Sequence, residues 1–417
     1  MKIKYILHAG MMLILLLTSL SGYSQDTAKI MTYNLLNYSG QAAKELNFRK
    51  TLSYSSPDIL VVEEIISQTA VDRLVSEVLN FYTPDVYSAG TFINGYDTDN
   101  AVFFKSSKFT FISNTPIQTD LRDINMFTLL HKQSKDTIRI FAVHLKASSS
   151  SADEQQRLIE VNFMRTVTNS FPVGMEFLVT GDFNIYNSTE PAYIRMLQVE
   201  SGNEGHFIDP YTLTGTWNQF GYSQYHSQST RTRSIGDGGA TGGLDDRFDF
   251  ILNSRALTEE GRIKYIPDTQ RPLGNDGQHY NDSINMRPNT SVPDSIADAL
   301  YYGSDHIPVS ALYKFDTHPL SVSQTGNVLP VTFTLQQNYP NPFNPQTTIR
   351  YKIQKSEFIQ LTIYNSLGSV VKSLINKKHI PGEYEVKWNA LNYPSGVYYY
   401  EMKAGEFKET KSMLLLK

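Results

Sequence analysis

Between residues 25 and 316, short runs of β-branched, aromatic and aliphatic residues alternate with polar stretches, and each run is long enough for one strand. The runs at 29–33, 58–62, 101–104, 138–145, 176–180, 248–252 and 309–313 predict seven strands. Two helices are marked between them. Val71, Leu74, Val75, Val78 and Leu79 fall on one helical face. Ser151, with Glu154 three residues on, predicts a capping box ahead of Leu158, Ile159 and Phe163. Segments 200–243 and 267–303 are rich in Gly, Ser, Thr, Asn, Asp and Tyr and predict long loops, which inside a compact domain point to function.

The two ends have a different texture. Lys2 and Lys4 precede an apolar run and then small polar residues up to Ser24, the pattern of a secretory signal peptide over 1–24. The run is too short for a comfortable membrane span. Residues 317–332 predict a linker separating 25–316 from 333–417. Beyond it, strand patterns at 348–353, 359–364, 384–388 and 396–403, broken by Asn-Pro, Leu-Gly and Pro-Gly turns, predict a small all-β sandwich.

Composition narrows the chemistry. The 417 residues contain no cysteine, so disulfide scaffolds, thiolate metal sites and cysteine nucleophiles are excluded, and a bound metal must rest on carboxylate, imidazole, amide or backbone donors. The net charge of −4 is unevenly spread: residues 331–417 carry 11 Lys and Arg against 6 Asp and Glu, leaving 26 against 35 in the larger body. An acidic body excludes a long electrostatic footprint on nucleic acid. A polyanionic substrate must be gripped by a few placed cations or by a metal.

The tail resembles a known module. LQQNYPNPFNPQTTIRYKI from Leu335, LTIYNSLGSVV, and the closing YPSGVYYYEMKAGEFKETKSMLLLK are similar to the type A C-terminal sorting domain of the type IX secretion system of Bacteroidetes. The resemblance implies passage through that machinery to the medium or the outer cell surface, with no catalytic residue in the tail and no transmembrane segment in the mature chain.

Several predicted strands of the larger body end in a residue that can bind metal or move a proton: Asn34, Glu63 and Glu64, His144, Asp182 and Asn184, Asp249, and Asp305 with His306 ahead of the last strand. In this order, Asn34 after a β run, PDILVVEE, VHLK, GDFN, DRFDFIL and GSDHIPV resemble the endonuclease/exonuclease/phosphatase superfamily, the deoxyribonuclease I-like fold. That resemblance implies a four-layer α/β sandwich with the polar strand ends gathered at one rim, and metal-dependent hydrolysis of phosphoric esters.

It further implies Glu64, Asn34 and Asp305 as holders of Mg²⁺ (or Mn²⁺ or Ca²⁺), and Asp182 and Asn184 as the pair positioning the attacking water. His306 would be a base or phosphate-binding imidazole oriented by Asp249, with His144 acting from the opposite side of the phosphate. Where relatives carry a second acid after the first asparagine, this chain has Leu36, and Glu63 could tighten metal binding or face solvent. Arg231, Arg233 and His226 in YHSQSTRTRS, with Lys146 of VHLK, are the cations available for substrate phosphate. The expected activity is a secreted nuclease acting on extracellular nucleic acid. A sphingomyelinase-like or inositol-phosphate-type phosphatase is the enzymatic alternative, and an inactive surface-binding protein the alternative of another class.

Overall fold

The computed structural model describes residues 25–95, 97–316, 333–355, 357–379, 382–405 and 407–417. The expected signal peptide, 1–24, and linker, 317–332, lie outside the described residues. The chain divides into two compact units.

The first unit contains β1 (Gln25–Tyr38), β2 (Ile59–Ile65), β3 (Tyr87–Ala89), β4 (Asp99–Lys105), β5 (Phe109–Ile117), β6 (Ile124–His131) and β7 (Thr137–His144). After these come β8 (Phe177–Asp182), β9 (Phe207–Ile208), β10 (Asp249–Ser254), β11 (Ile263–Tyr265), β12 (Arg271–Pro272) and β13 (Val309–Asp316). They form two mixed sheets, ordered β11-β13-β1-β2-β4-β3, with β12 also on β13, and β5-β6-β7-β8-β10-β9. All seven predicted strands are present.

Alternation along the strands dictates the layering. Ile30, Ile59 and Val61 from one sheet meet Phe127, Ile140 and Leu178 from the other in a dry inter-sheet core. The opposite faces are covered by helices. Leu60, Val62 and Met31 pack under α1 (Ala42–Ser55) and α2 (Gln68–Arg73). Phe141, Val143 and Val179 pack under α3 (Ser151–Asn169) and α4 (Pro191–Leu197). The result is a four-layer α/β sandwich.

Local expectations needed three corrections. The capping box of α3 is Ser150 with Asp153, one residue earlier than predicted, and the buried face runs through Arg157, Val161, Met164 and Arg165 while Phe163 is exposed. The 71–79 face is split: α2 ends at Arg73 and Leu74–Leu79 continues as a π-turn, which still buries Val71, Leu74 and Val78. Segment 267–303 is not all loop, because α5 (Asp294–Gly303) buries Ile296, Ala297 and Leu300.

The second unit packs β14 (Thr334–Leu335), β15 (Gln346–Ile353), β16 (Glu357–Asn365), β17 (Val370–His379), β18 (Gly382–Asn389), β19 (Gly396–Ala404) and β20 (Phe407–Leu415) into sheets β14-β15-β18 and β17-β16-β19-β20. Their shared core includes Ile349, Leu361, Trp388, Tyr400 and Met413. This is the all-β unit that the turn-punctuated tail predicts. Asn338 donates from Nδ2 to Thr347 Oγ1 at 2.8 Å and to Pro340 O at 3.1 Å, tying the NYPNPFNP stretch to the first sheet.

Candidate active site

Each sheet has one central parallel pair, and the carboxyl ends of both pairs emerge at the same rim of the sandwich. In the first, Asn34 of β1 lies opposite Glu63 of β2. In the second, His144 of β7 lies opposite Asp182 of β8. The antiparallel neighbours enter from that rim: Asp249 opens β10 opposite Asp182, and Ser304 to His306 immediately precede β13, which runs back along β1. Parallel pairing and chain reversal together deliver residues 270 positions apart to one place.

Two local devices aim the side chains. At Gly181, φ is +137° and an added Cβ would sit 2.0 Å from Val143 O, so only glycine lets β8 approach β7 closely enough to face Asp182 across from His144. In β2 the pleat sends Val61 to the inter-sheet core and Val62 to the helices. Glu63 continues inward, whereas Glu64, at φ +57° beside a register shift, turns out to the rim.

The resulting geometry is tight. Asn34 Nδ2 lies 3.0 Å from Glu64 Oε1 and 3.1 Å from Asp182 Oδ2. His144 Nε2 is 3.6 Å from Asp182 Oδ2 and 3.8 Å from Glu64 Oε1, and His306 Nε2 is 3.6 Å from the same Asp182 oxygen. Asp249 Oδ2 accepts from His306 Nδ1 at 2.7 Å and from Ser227 Oγ at 2.6 Å, which orients the ring. Asn184 N–H donates to Asp182 Oδ1 at 3.1 Å. Two sets of metal-competent atoms, Glu64–His144–Asp182 and Asp182–Asp249–His306, each fall within 4.8 Å.

Burial and crowding perturb the titrations. Burial, opposed by His306 and reinforced by Asp249 and Glu64, pushes the Asp182 carboxyl up to about 7. His144 is driven well below the ordinary imidazole value by burial, then by Arg122 and His306. Burial works the same way on His306, but Asp249 and Asp182 outweigh it and hold the ring well above that value. Two imidazoles about one carboxylate are thus split in opposite directions.

Several expected residues have partners of their own. Asn34 directs its amide N–H groups at Glu64 and Asp182 while its Oδ1 accepts from Leu36 N–H, so it spans the two carboxylates. Asp305 accepts from Ala240 N–H at 2.7 Å and Gln228 Nε2 at 3.3 Å and belongs to neither metal-competent set among the described residues. Glu63 does not face solvent: it is fully buried under the site, accepts from Thr32 Oγ1, and burial holds its carboxyl well above the ordinary range.

Three of the four expected phosphate cations are engaged elsewhere. Arg231 is fully buried and paired with Asp237 at 2.9 Å. His226 is buried with Nε2 against Trp217 O. Lys146 pairs with Asp153 at the start of α3. Only Arg233 is exposed on its loop.

Two residues at the site carried no local signal. Gln228 places its amide nitrogen 2.6 Å from His306 Nε2, and Arg122, paired with Asp97, donates to the His144 carbonyl at 3.3 Å. Glutamine in a polar loop and arginine beside Asp123 look ordinary in a sequence. Both become visible only when the loops close over the strand ends.

The residues present suit a hard divalent cation. Glu64 and Asp182 offer anionic oxygens, and His144 Nε2 faces both of them. Burial first, and then Asp249 and Glu64, raise Asp182 against the pull of His306, so a cation placed there would be favoured.

Comparison with curated proteins finds no match. Among solved structures the chain is similar to TDP2 from D. rerio complexed with single strand DNA product (16% identity, 69% of this chain and 98% of that one, TM-score 0.45). It is also similar to an endonuclease/exonuclease/phosphatase family protein from Bacteroides thetaiotaomicron (15%, 70% and 97%, 0.42) and to the human Nocturnin catalytic domain with bound sulfate anion (16%, 69% and 97%, 0.40). Residues 337–416 match the family model described as the secretion system C-terminal sorting domain. The chain therefore carries, after its four-layer α/β sandwich, a C-terminal domain that marks it for secretion or cell-surface export.

Proposed function

We propose that the protein is an exported, divalent-metal-dependent phosphodiesterase of the deoxyribonuclease I-like kind that hydrolyses extracellular nucleic acid. The convergence of His144 on Glu64 and Asp182, and of His306 on Asp182, at 3.6–3.8 Å carries this reading. Glu64 and Asp182 would hold Mg²⁺, or Mn²⁺ or Ca²⁺ in its place, with Asn34 fixing the spacing between them. The bound ion supplies positive charge to a phosphate oxygen.

The remaining roles follow from the protein's own groups. Asp249 accepts from His306 Nδ1 and favours the charged ring, so His306 serves as the imidazole that binds the phosphate. Asn184 and Asp182 hold the attacking water against the phosphorus. His144, whose charged form burial disfavours, donates from Nε2 to a non-bridging oxygen and stabilises the charge that develops there. Asp305 and Gln228 support His306 from the loop side. The tail would route the protein through type IX secretion.

The test is hydrolysis of plasmid DNA and RNA by the purified chain with Mg²⁺ or Mn²⁺, with and without chelator, beside phosphocholine release from sphingomyelin. Chelator-sensitive cleavage of nucleic acid is expected. Phosphocholine release without nucleic-acid cleavage would transfer the reading to the lipid branch, and no turnover of any phosphodiester would end it.

A further inference from the structure

Next to the strand-end cluster the first unit has a cavity of about 480 Å³. Its walls are chain-continuous with the site. Leu36 and Asn37 stand two and three residues after Asn34, and the N–H of Asn37, a residue of the wall, donates to Glu64 Oε2 at 2.9 Å. Tyr302, on the last turn of α5, stands three residues before Asp305. Asp237 comes from the loop whose Ala240 N–H holds Asp305. A group esterified to a phosphate at Glu64 and Asp182 has this space as its neighbour.

The lining selects among occupants. Leu36, Ala43, Ile235 and Tyr302 give a largely apolar wall, and Ile235 and Tyr302 are 39% and 51% exposed, large apolar surfaces left facing solvent at the mouth. Set into that wall are the side-chain amides of Asn37, Gln41 and Asn47, of which Gln41 also accepts from Ser39 N–H and donates to Asn37 O, and Asn47 also donates to Ala43 O. The cation of the lining itself, Lys44, is turned onto the Leu35 and Leu36 carbonyls. A second phosphate would find no free cation in the wall. A hydrocarbon chain would offer nothing to the Asn37 amide or to the remaining capacity of Gln41 and Asn47, and a quaternary ammonium would find one aromatic where a cage needs several. A flat heteroaromatic ring with donor and acceptor edges satisfies both parts, stacking on the tyrosine and pairing with amides.

We infer that this cavity is a nucleobase subsite, holding the base of the nucleotide whose phosphate lies at Glu64 and Asp182. The inference rests on the phosphodiesterase reading. It adds that recognition is of one nucleotide at close range, which suits an acidic protein that lacks a long basic track.

The experiment is calorimetric binding of adenosine 5′-monophosphate and ribose 5-phosphate, in Mn²⁺, to the full chain and to Ala43→Trp and Tyr302→Ala. Ala43 and Tyr302 are both exposed helix positions, so these variants are expected to fold. The nucleotide should bind the wild type at least about tenfold more tightly than the sugar phosphate. Both variants should erase that advantage and leave ribose 5-phosphate binding as it was. Equal binding of the two compounds to the wild type, or an advantage that survives Ala43→Trp, would overturn the base subsite while leaving the phosphate site standing. Failure of both compounds to bind would overturn the subsite and the phosphodiesterase reading together.

Discussion

Two groups of buried charge in the first unit obey opposite logic. Beneath α3, Arg157 and Glu190 pair at 2.8 Å with both side chains inaccessible, and the remaining guanidinium N–H groups reach the carbonyls of Lys146 and Ser148. That group is neutral in sum and nearly every donor has an acceptor. At the rim, Glu64, Asp182, Asp249 and Asp305 crowd two imidazoles, and His144 Nδ1 and Asp249 Oδ1 are left without partners. Folding alone favours the first arrangement and penalises the second. Buried charge that is paired holds a loop in place, and buried charge that repels is kept for chemistry.

The largest expected effect separates the two groups by activity. Asp182→Asn should lower phosphodiester turnover by about 10²-fold or more. The same change should stabilise the metal-free fold. A buried acid whose folded-state value is raised from 3.8 to about 7 costs stability as pH climbs between those values, and the amide removes that cost. Thermal melts with chelator should therefore show the variant above wild type at pH 8, and the gap closing toward pH 4. A variant less stable than wild type at pH 8 would contradict the repulsive character of the rim.

Arg157→Leu should do the reverse, leaving an uncompensated buried Glu190 at a cost of about 3–5 kcal/mol. Denaturant unfolding measures it. The double change Arg157→Leu with Glu190→Leu should recover much of the loss, and no recovery would mean that the pair acts through its carbonyl contacts instead.

A finer test concerns the two rim histidines. Imidazole NMR titration of the metal-free protein should place His306 above 6.5 and His144 below it. The His306–Asp249 pair then contributes stability that is fully present below about 6.5 and fades as pH rises through the higher folded-state value. His144, buried neutral, instead costs stability as pH falls below about 6.5. Asp249→Asn should bring His306 down and leave His144 below 6.5. Coincident titrations near 6.5 would remove the asymmetry on which the two histidine roles depend.

The comparison also explains what a reader of the sequence can see. Strands such as Ile59–Ile65 announce themselves because both faces are covered and the run 59–62 ahead of the two glutamates is continuously apolar. Strand β5, with Asn114 and Pro116 on a sheet edge, does not, since an edge tolerates residues that an interior strand excludes. Helix α1 was missed for a related reason: its buried side mixes Lys44, Glu45, Thr51 and Ser55 with Phe48 and Leu52, so no apolar stripe appears. At the site, the strand-end residues are legible because a polar side chain closing an apolar run has few other uses. Loop residues are not. Arg231 and Lys146 resemble solvent-facing cations in the sequence, and only long-range packing turns one inward to Asp237 and the other to the cap of α3. Gln228 reaches His306 by the same long-range closure.

The central claim is that a divalent cation completes the rim, and direct titration of Mn²⁺ tests it without any substrate. Wild type should bind with saturable heat in chelator-stripped buffer at neutral pH, and Glu64→Gln should weaken that binding by at least about tenfold while Arg233→Gln leaves it unchanged. Equal Mn²⁺ affinity in wild type and Glu64→Gln would contradict the account.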